Sequence, residues 1–438
     1  MKKWSKLTAF GLCAVLGASA AFAGCGSEAE TDESGSGEVI RVAWWGGEST
    51  HSAMQSALDA YMEANPGVVI EGEGANYDGY KEKLLTELAS GTAPELFKVE
   101  PQWIAELGES GYLEDLSQHY DILDLSEIDT TLMEYGEYNG EQIGIPTGYN
   151  GMVWIGNEKL MDEYGIDAGT QYTFDEILEL GKEIHAQDPE TYLCSVGQAN
   201  CNYILREMLK QKSGNQLVSE DASLGFTQEE LQECFEWFEE AFGSGVFEPM
   251  GDAELYANNF GENPLWISNN IVAEYTWLPA IVAFRSTLDK DTTTVPLYSF
   301  TIGEDAKNGA TNLRPDGLFA VPKGLDESRL EETLKLAKYL FTDAEAGALL
   351  GDAFSIPNNE PQLEAAREAG KIDDQIARGA EMASETAGMV ENVQSSNDEI
   401  SSITSDWLAQ VCYGEADASD AAAGCYQEMQ NKAESLFG

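Results

Sequence analysis

The sequence predicts an α/β protein of two lobes joined by segments that cross between them. Three observations carry the prediction. Strand and helix patterns alternate from Val39 to Val99. The stretch 143–160, IGIPTGYNGMVWIGNEKL, favours strand but is broken by Gly144, Pro146, Gly148 and Gly151, so the backbone should bend sharply and be approached closely there. The third is length, since 438 residues can bury more than one core.

Each element has a local reason. Residues 39–45 are β-branched or aromatic in alternation, which reads as a strand ended by Gly46 and Gly47. Between 50 and 65 the apolar Ala53, Met54, Ala57, Leu58 and Tyr61 recur at helical spacing, and Pro66 stops the helix. A strand at 68–71 follows, then a helix at 80–90 with Leu84, Leu85 and Leu88 on its core face and Gly91 as its cap, then a strand at 96–99. That order implies a parallel sheet with helices on both faces. Residues 103–107 and 113–116 continue this lobe to the crossing, which has Tyr149 and Asn150 at its bend, a short strand at 152–155 and a helix at 157–164. Beyond it, Thr173 and Glu176 form a capping box ahead of Ile177, Leu178 and Ile184, and another helix runs from Thr227 through Cys234, Phe235 and Phe238. Residues 264–271 read as a strand leading into Tyr275, Thr276 and Trp277. Residues 313–321 read as a second crossing with Arg314 to Gly317 at its bend, 330–341 as a helix and 354–357 as a third crossing, in a C-terminal third that is otherwise helical.

The N-terminus reads as a targeting segment. Lys2, Lys3 and Lys6 precede an apolar stretch, 7–23, too short and weak for a committed spanning helix, so 1–24 is expected to be removed as a signal peptide. Loss of those three lysines takes the formal charge from -54 to -57. Two cleavage patterns overlap: Ala21, Phe22, Ala23 suits ordinary secretion, and Phe22, Ala23, Gly24, Cys25 suits a lipobox in which Cys25 carries lipid. The lipobox is preferred because 25–38 is an acidic Gly/Ser tether, fit to hold a domain off the extracellular face of the bacterial membrane.

With 78 Asp+Glu against 24 Lys+Arg, most of the surface repels nucleic acid and anionic headgroups. Neither is expected as a partner, membrane contact is expected through the lipid anchor alone, and the chain is expected to be a monomer. Cys194 with Cys201, and Cys412 with Cys425, are close enough in sequence to pair in an oxidising exterior, leaving Cys234; buried free thiols are the alternative. His51, His119 and His185 are the only histidines and the Cys spacing fits no zinc pattern, so no metal or cofactor is expected.

Four segments share one likeness: 40–117, opening IRVAWWGGEST; GIPTGYNGMVWIGNEKLMDEYGID at 144–167; TFDEILELGKEI at 173–184; and NLRPDGLFAVPKG at 312–324. In order and spacing they resemble bacterial extracellular solute-binding proteins of the maltose-binding type, over essentially all of the mature chain. The resemblance implies a two-lobed periplasmic-binding-protein-like fold, each lobe a mainly parallel sheet flanked by helices and joined by crossing hinge segments. It also implies capture of a solute by lobe closure and delivery to the membrane permease of an ABC importer. The lobes would be 39–148 with 313–355, and 149–312 with 356–438. In such proteins the ligand meets the loop after the first strand, here 44–48, and the loop after the third, here Glu100, Pro101, Gln102 and Trp103. It also meets the crossing, where Asn150 stands at a position often held by a carboxylate, and a second-lobe aromatic matched by Trp277 in EYTWLP; Asp316 lies at the second crossing.

Residue chemistry points the same way. A sugar offers an apolar C–H face and a rim of hydroxyls, so its site needs flat aromatics beside carboxylates or amides. Trp45, Trp103 and Trp277 supply faces, Glu48, Glu100, Gln102, Asn150 and Asp316 supply rims, and Tyr77 and Tyr149 are candidate rim aromatics. The plain alternatives are a Trp packed in a core and an acid solvated on an acidic surface. Trp266 reads as core, while Trp407 is open between cleft and core. The same acids with Trp rings would also suit a polyamine. An anionic solute is disfavoured because Arg314 is the only cation among these positions. Enzyme signals are poor: G-x-S-x-G, H-E-x-x-H and G-x-x-x-x-G-K-[ST] are missing, and Gly72, Gly74, Tyr77 lacks the third glycine of a dinucleotide fingerprint. A secreted glycosidase needs only two carboxylates, which so acidic a chain always offers.

Overall fold

The computed structural model describes residues 39–438 apart from 129 and 258. The leader, Cys25 and the tether lie outside the described residues. In chain order the strands are β1 Val39–Trp45, β2 Val69–Ala75, β3 Leu96–Val99, β4 Glu137–Tyr138, β5 Glu141–Gln142, β6 Ile145–Pro146, β7 Tyr149–Asn157, β8 Tyr192–Ser195, β9 Ile271–Trp277, β10 Thr294–Leu297, β11 Leu313–Pro315 and β12 Leu318–Ala320. One sheet runs β2-β1-β3-β12-β6 and the other β10-β7-β9-β8, with β11 also on β7. Only Thr147 and Gly148 separate β6 from β7, and only Asp316 and Gly317 separate β11 from β12, yet each pair is split between the sheets. The chain therefore passes from one sheet to the other at 147–148 and at 316–317.

The sheets are mixed rather than mainly parallel. In the first, β1 is parallel to β2 and β3, but β12 runs antiparallel to β3 and β6. In the second, only β8 and β9 are parallel, while β7 is antiparallel to β9, β10 and β11. The physical reason is the crossing itself: a strand arriving from the other lobe, without a covering helix of its own, enters in either sense.

Alternation along a strand sorts neighbours onto opposite faces. Trp44 packs with Val42, Met54 and Leu58 in one core, whereas Trp45 packs with Ala43, Tyr80, Leu84 and Trp103 in another. On β7, Met152 and Trp154 face one core of the second lobe, and Tyr149, Val153 and Ile155 face its other. Helices Glu48–Ala64 and Tyr80–Ser90 cover the first sheet as the periodicity predicts, and Gly91, with φ 70°, ends the second of them. Thr173 and Glu176 form the expected capping box, and Thr227 forms a second with Glu230.

One element differs in kind. Residues 264–271 are a helical turn, Pro264–Ile267, leading to a strand that starts only at Ile271. Asn263 accepts from the Leu265 amide and Pro264 occupies the first helical position, a start signal that overrides the apolar run. Trp266 is buried as expected, but from that turn. Cys194, Cys201, Cys234, Cys412 and Cys425 are all buried free thiols. Among the described residues no helix is long and apolar enough to cross a membrane.

Candidate ligand-binding site

Three crossings lie side by side between the sheets. The Thr147 amide donates to the Gly317 carbonyl at 3.2 Å, the Asp316 amide to Gly148 at 3.1 Å and the Tyr149 amide to Ile356 at 2.8 Å. A Cβ at Gly148 would strike the carbonyl oxygens of Phe354 and Ile356, so only glycine lets these backbones meet. Ser355 takes a left-handed φ of 68° in the third crossing, and its hydroxyl donates to Asn150 Oδ1 at 2.5 Å. Non-glycine residues held in that region persist where their surroundings over-determine them.

Register then sets which side chains share one face of β7. Arg314 lies opposite Asn150, and Trp277 lies opposite Met152 on the same face of β7. The Arg314 guanidinium accordingly sits 4.3 Å above the Trp277 ring, and Tyr203, from helix Gln198–Ser213, meets that ring edge-on at 5.8 Å.

On the first lobe, Trp45 is the hub of an aromatic cluster, 5.6 Å from Tyr77, 5.1 Å from Tyr80 and 5.6 Å from Trp103. Lys98, from β3, is only 4 % exposed and ends with Nζ 4.4 Å over the Trp45 ring, 5.1 Å from Phe354 and 2.8 Å from Asp316 Oδ2. Any side chain at Gly317 would collide with the Lys98 stem, so this glycine makes room for the cation. A buried ammonium needs such partners, and the ring faces and the carboxylate provide them. Beside this pair burial pushes the Glu100 carboxyl up; the charge of Lys98 counters that, that of Asp316 adds to it and that of Arg314 counters it again. Trp45, Lys98 and Asp316 thus form one series of contacts and Arg314 with Trp277 another, and Glu100 is within electrostatic reach of Lys98, Asp316 and Arg314.

A match to known sequences fits this geometry. The sequence profile of bacterial extracellular solute-binding proteins aligns with residues 56–379. The chain belongs to that family. Solved structures agree on the fold: an oligogalacturonide-binding protein of Yersinia enterocolitica is similar at a TM-score of 0.77 and 20% identity, covering 91% of this chain and 100% of its own. The GacH receptor of Streptomyces glaucescens, solved unliganded and with acarbose, gives 0.62 and 16%, covering 91% and 100%. A de novo designed cysteine esterase, ECH19, gives 0.80 and 20%, covering 91% and 99%.

Within this solute-binding protein the candidate residues divide. Asn150, Asp316 and Trp277 meet at the crossings and the strands beside them, as the contacts above describe, and Glu100 is within reach of the charges there. Trp45 and Trp103 reach the same region but are buried, with Lys98 over one ring and Lys81 Nζ 5.4 Å from the other; the accessible aromatic is Tyr77, 50% exposed. Tyr149 is buried in the second lobe's core, because the residue beside Asn150 on a strand must face the other way. Gln102 is exposed in the turn after β3. Glu48 lines a groove with Trp44, His51, Gln55 and Gly74, on the Trp44 side of the first sheet rather than the Trp45 side. Trp407 belongs to the C-terminal helices, its Nε1 donating to Glu428 at 2.8 Å.

Lys98, Tyr203 and Ser355 escaped the sequence reading. A lysine inside the four-residue strand LFKV was the available signal, since a charge at a buried strand position requires a partner. Its partner lies 218 residues away.

Proposed function

We propose that this family member is the lipid-anchored carbohydrate receptor of an ABC importer. It takes a mono- or oligosaccharide between the lobes, 39–148 with 313–355 and 149–312 with 356–438, and closes on it. The observation that carries the reading is the pair of ring-and-charge contacts at the crossings, Lys98 on Trp45 and Arg314 on Trp277; beside them Glu100 and Asn150 accept from sugar hydroxyls, Arg314 donates to ring or hydroxyl oxygens, and Tyr77 offers an open face. Two neighbours described as binding oligogalacturonide or acarbose support the ligand class. Processing before Cys25, lipidation there and a membrane permease as partner complete the proposal.

A polyamine fits less well. Lys98 and Arg314 already occupy the Trp45 and Trp277 faces that a polycation needs, and they would repel it. A glycosidase would release reducing ends from glycans, and this chain is expected to release none. Calorimetry against a panel of mono- and oligosaccharides and of polyamines tests the reading. Saturable heat with a saccharide is expected; heat with polyamines alone would overturn it. Mass spectrometry of the mature N-terminus tests the anchor, with lipidated Cys25 expected and an unmodified terminus after Ala23 contrary to it.

A further inference from the structure

Arg314 stands out among the arginines of an acidic chain. Arg41, Arg206, Arg285, Arg329 and Arg367 each hold a carboxylate. Among the described residues only Arg314 and Arg378 hold none, and Arg378 lies on helix Asp374–Glu385, outside the crossings. Acids are not scarce near Arg314: Glu100 feels its charge, and Asp316 is two residues on, yet Asp316 is committed to Lys98. Strand pairing with Asn150 and the Trp277 ring fix the guanidinium in position while leaving it exposed.

A guanidinium whose carbon sits 4.3 Å over an indole, with no carboxylate of the described residues upon it, keeps its forked N–H donors available to meet a carboxylate through two parallel bonds. We infer that the ligand carries this carboxylate: the saccharide taken by the cleft is an acidic one, a uronic acid or uronate-containing oligosaccharide, with its carboxylate on Arg314 and its hydroxyls on Glu100 and Asn150. This rests on the carbohydrate reading above and narrows it. It reverses the expectation that an anionic solute is disfavoured, because the sequence count missed Lys98, which neutralises Asp316 and so leaves Arg314 free for the ligand. It also gives the unpaired charge a purpose: in a chain of formal charge -54, an acid enters only where a fixed cation offsets the surrounding field.

Calorimetry with mono-, di- and trimers of galacturonate and glucuronate, beside galactose and glucose counterparts of equal length, tests it. The uronates are expected to bind at least about 10-fold more tightly than the neutral sugars. Arg314→Gln is expected to remove that preference, bringing uronate and neutral-sugar affinities together, and Arg314→Lys to restore part of it, since a point charge lacks the fork. Equal or tighter binding of the neutral sugars overturns the acidic assignment and leaves the receptor reading standing. Binding of no saccharide, by a protein whose melting curve is intact, overturns both. A uronate preference that survives Arg314→Gln shows the carboxylate sits elsewhere and overturns the assignment to Arg314.

Discussion

Arg206, on helix Gln198–Ser213, and Arg314, on strand β11, stand in opposite circumstances. Arg206 is 3 % exposed; its Nε and Nη2 bind the two oxygens of Glu391 at 3.1 and 2.5 Å, and Nη2 also donates to the Ser395 carbonyl at 2.6 Å. Lys210 adds a second cation 3.5 Å from the same carboxylate and lies 2.7 Å from Glu207. Arg314 is exposed on a crossing strand, with a ring beneath it and no carboxylate of the described chain upon it. One set of charges is closed on itself and serves the fold. The other is held in place but left open, which is what a binding site requires of a charge.

The sharpest way to break that contrast is to truncate both arginines. Arg206→Ala strands Glu391 in the interior and is expected to cost about 3–5 kcal/mol of stability, read from the urea midpoint. Arg314→Ala leaves no buried charge behind and is expected to cost less than about 1 kcal/mol. Equal losses would erase the distinction. Lys98→Met comes next: it keeps the packing stem but leaves Asp316 without its cation, at an expected cost of about 1–3 kcal/mol in stability together with weaker ligand binding in calorimetry. A variant with unaltered binding would take Lys98 out of the site.

pH separates two kinds of buried acid. Burial would raise Glu391, but Arg206 and Lys210 outweigh it and hold the carboxyl at about 2. Its folded value is depressed, so its contribution is present above the ordinary carboxylate range and is lost as pH falls through that range toward about 2. Glu274 is the reverse: burial pushes it well up, helped by Glu248, and among the described residues its Oε2 has no hydrogen-bond partner. Its raised folded value means that ionisation opposes folding, so its contribution improves as pH falls below that value. Glu274→Gln should therefore stabilise the protein at pH 8, by about 1–3 kcal/mol for an unmet buried oxygen, and less at pH 4. Melting curves at the two pH values check the sign; a larger gain at pH 4 would contradict it. The smallest effect belongs to Tyr77→Ala, expected to weaken saccharide binding by about 0.5–1.5 kcal/mol in calorimetry without moving the melting temperature.

The same contrast marks what the sequence could reveal. Strand β1, the helices over 48–64 and 80–90, β3 and the Thr173 capping box were legible because period, caps and breakers lie within a few residues of one another. The breaks between strands at 147–148 and 316–317 were legible from glycine and proline inside strand-forming runs. At 264–271 the apolar pattern misled because Asn263 and Pro264 impose a helical turn on it. Among the candidate residues, Asn150, Glu100, Asp316 and Trp277 were selected from residue type and position, and the structure brings Asn150, Asp316 and Trp277 to the crossings. The partnership of Lys98 with Asp316 was not, since nothing local marks a bond closed across 218 residues. Nor did the sequence say which of Tyr149 and Asn150 is buried; the structure puts Tyr149 in a core and Asn150 opposite Arg314.

Everything above depends on a guest held by both sheets at once. Small-angle scattering, with and without a saturating saccharide from the calorimetric panel, measures this most directly. The account predicts a smaller radius of gyration in the bound protein, and less contraction for Arg314→Gln with a uronate at equal occupancy. An identical scattering curve in both states of the unaltered protein, with binding proven by calorimetry, would contradict it.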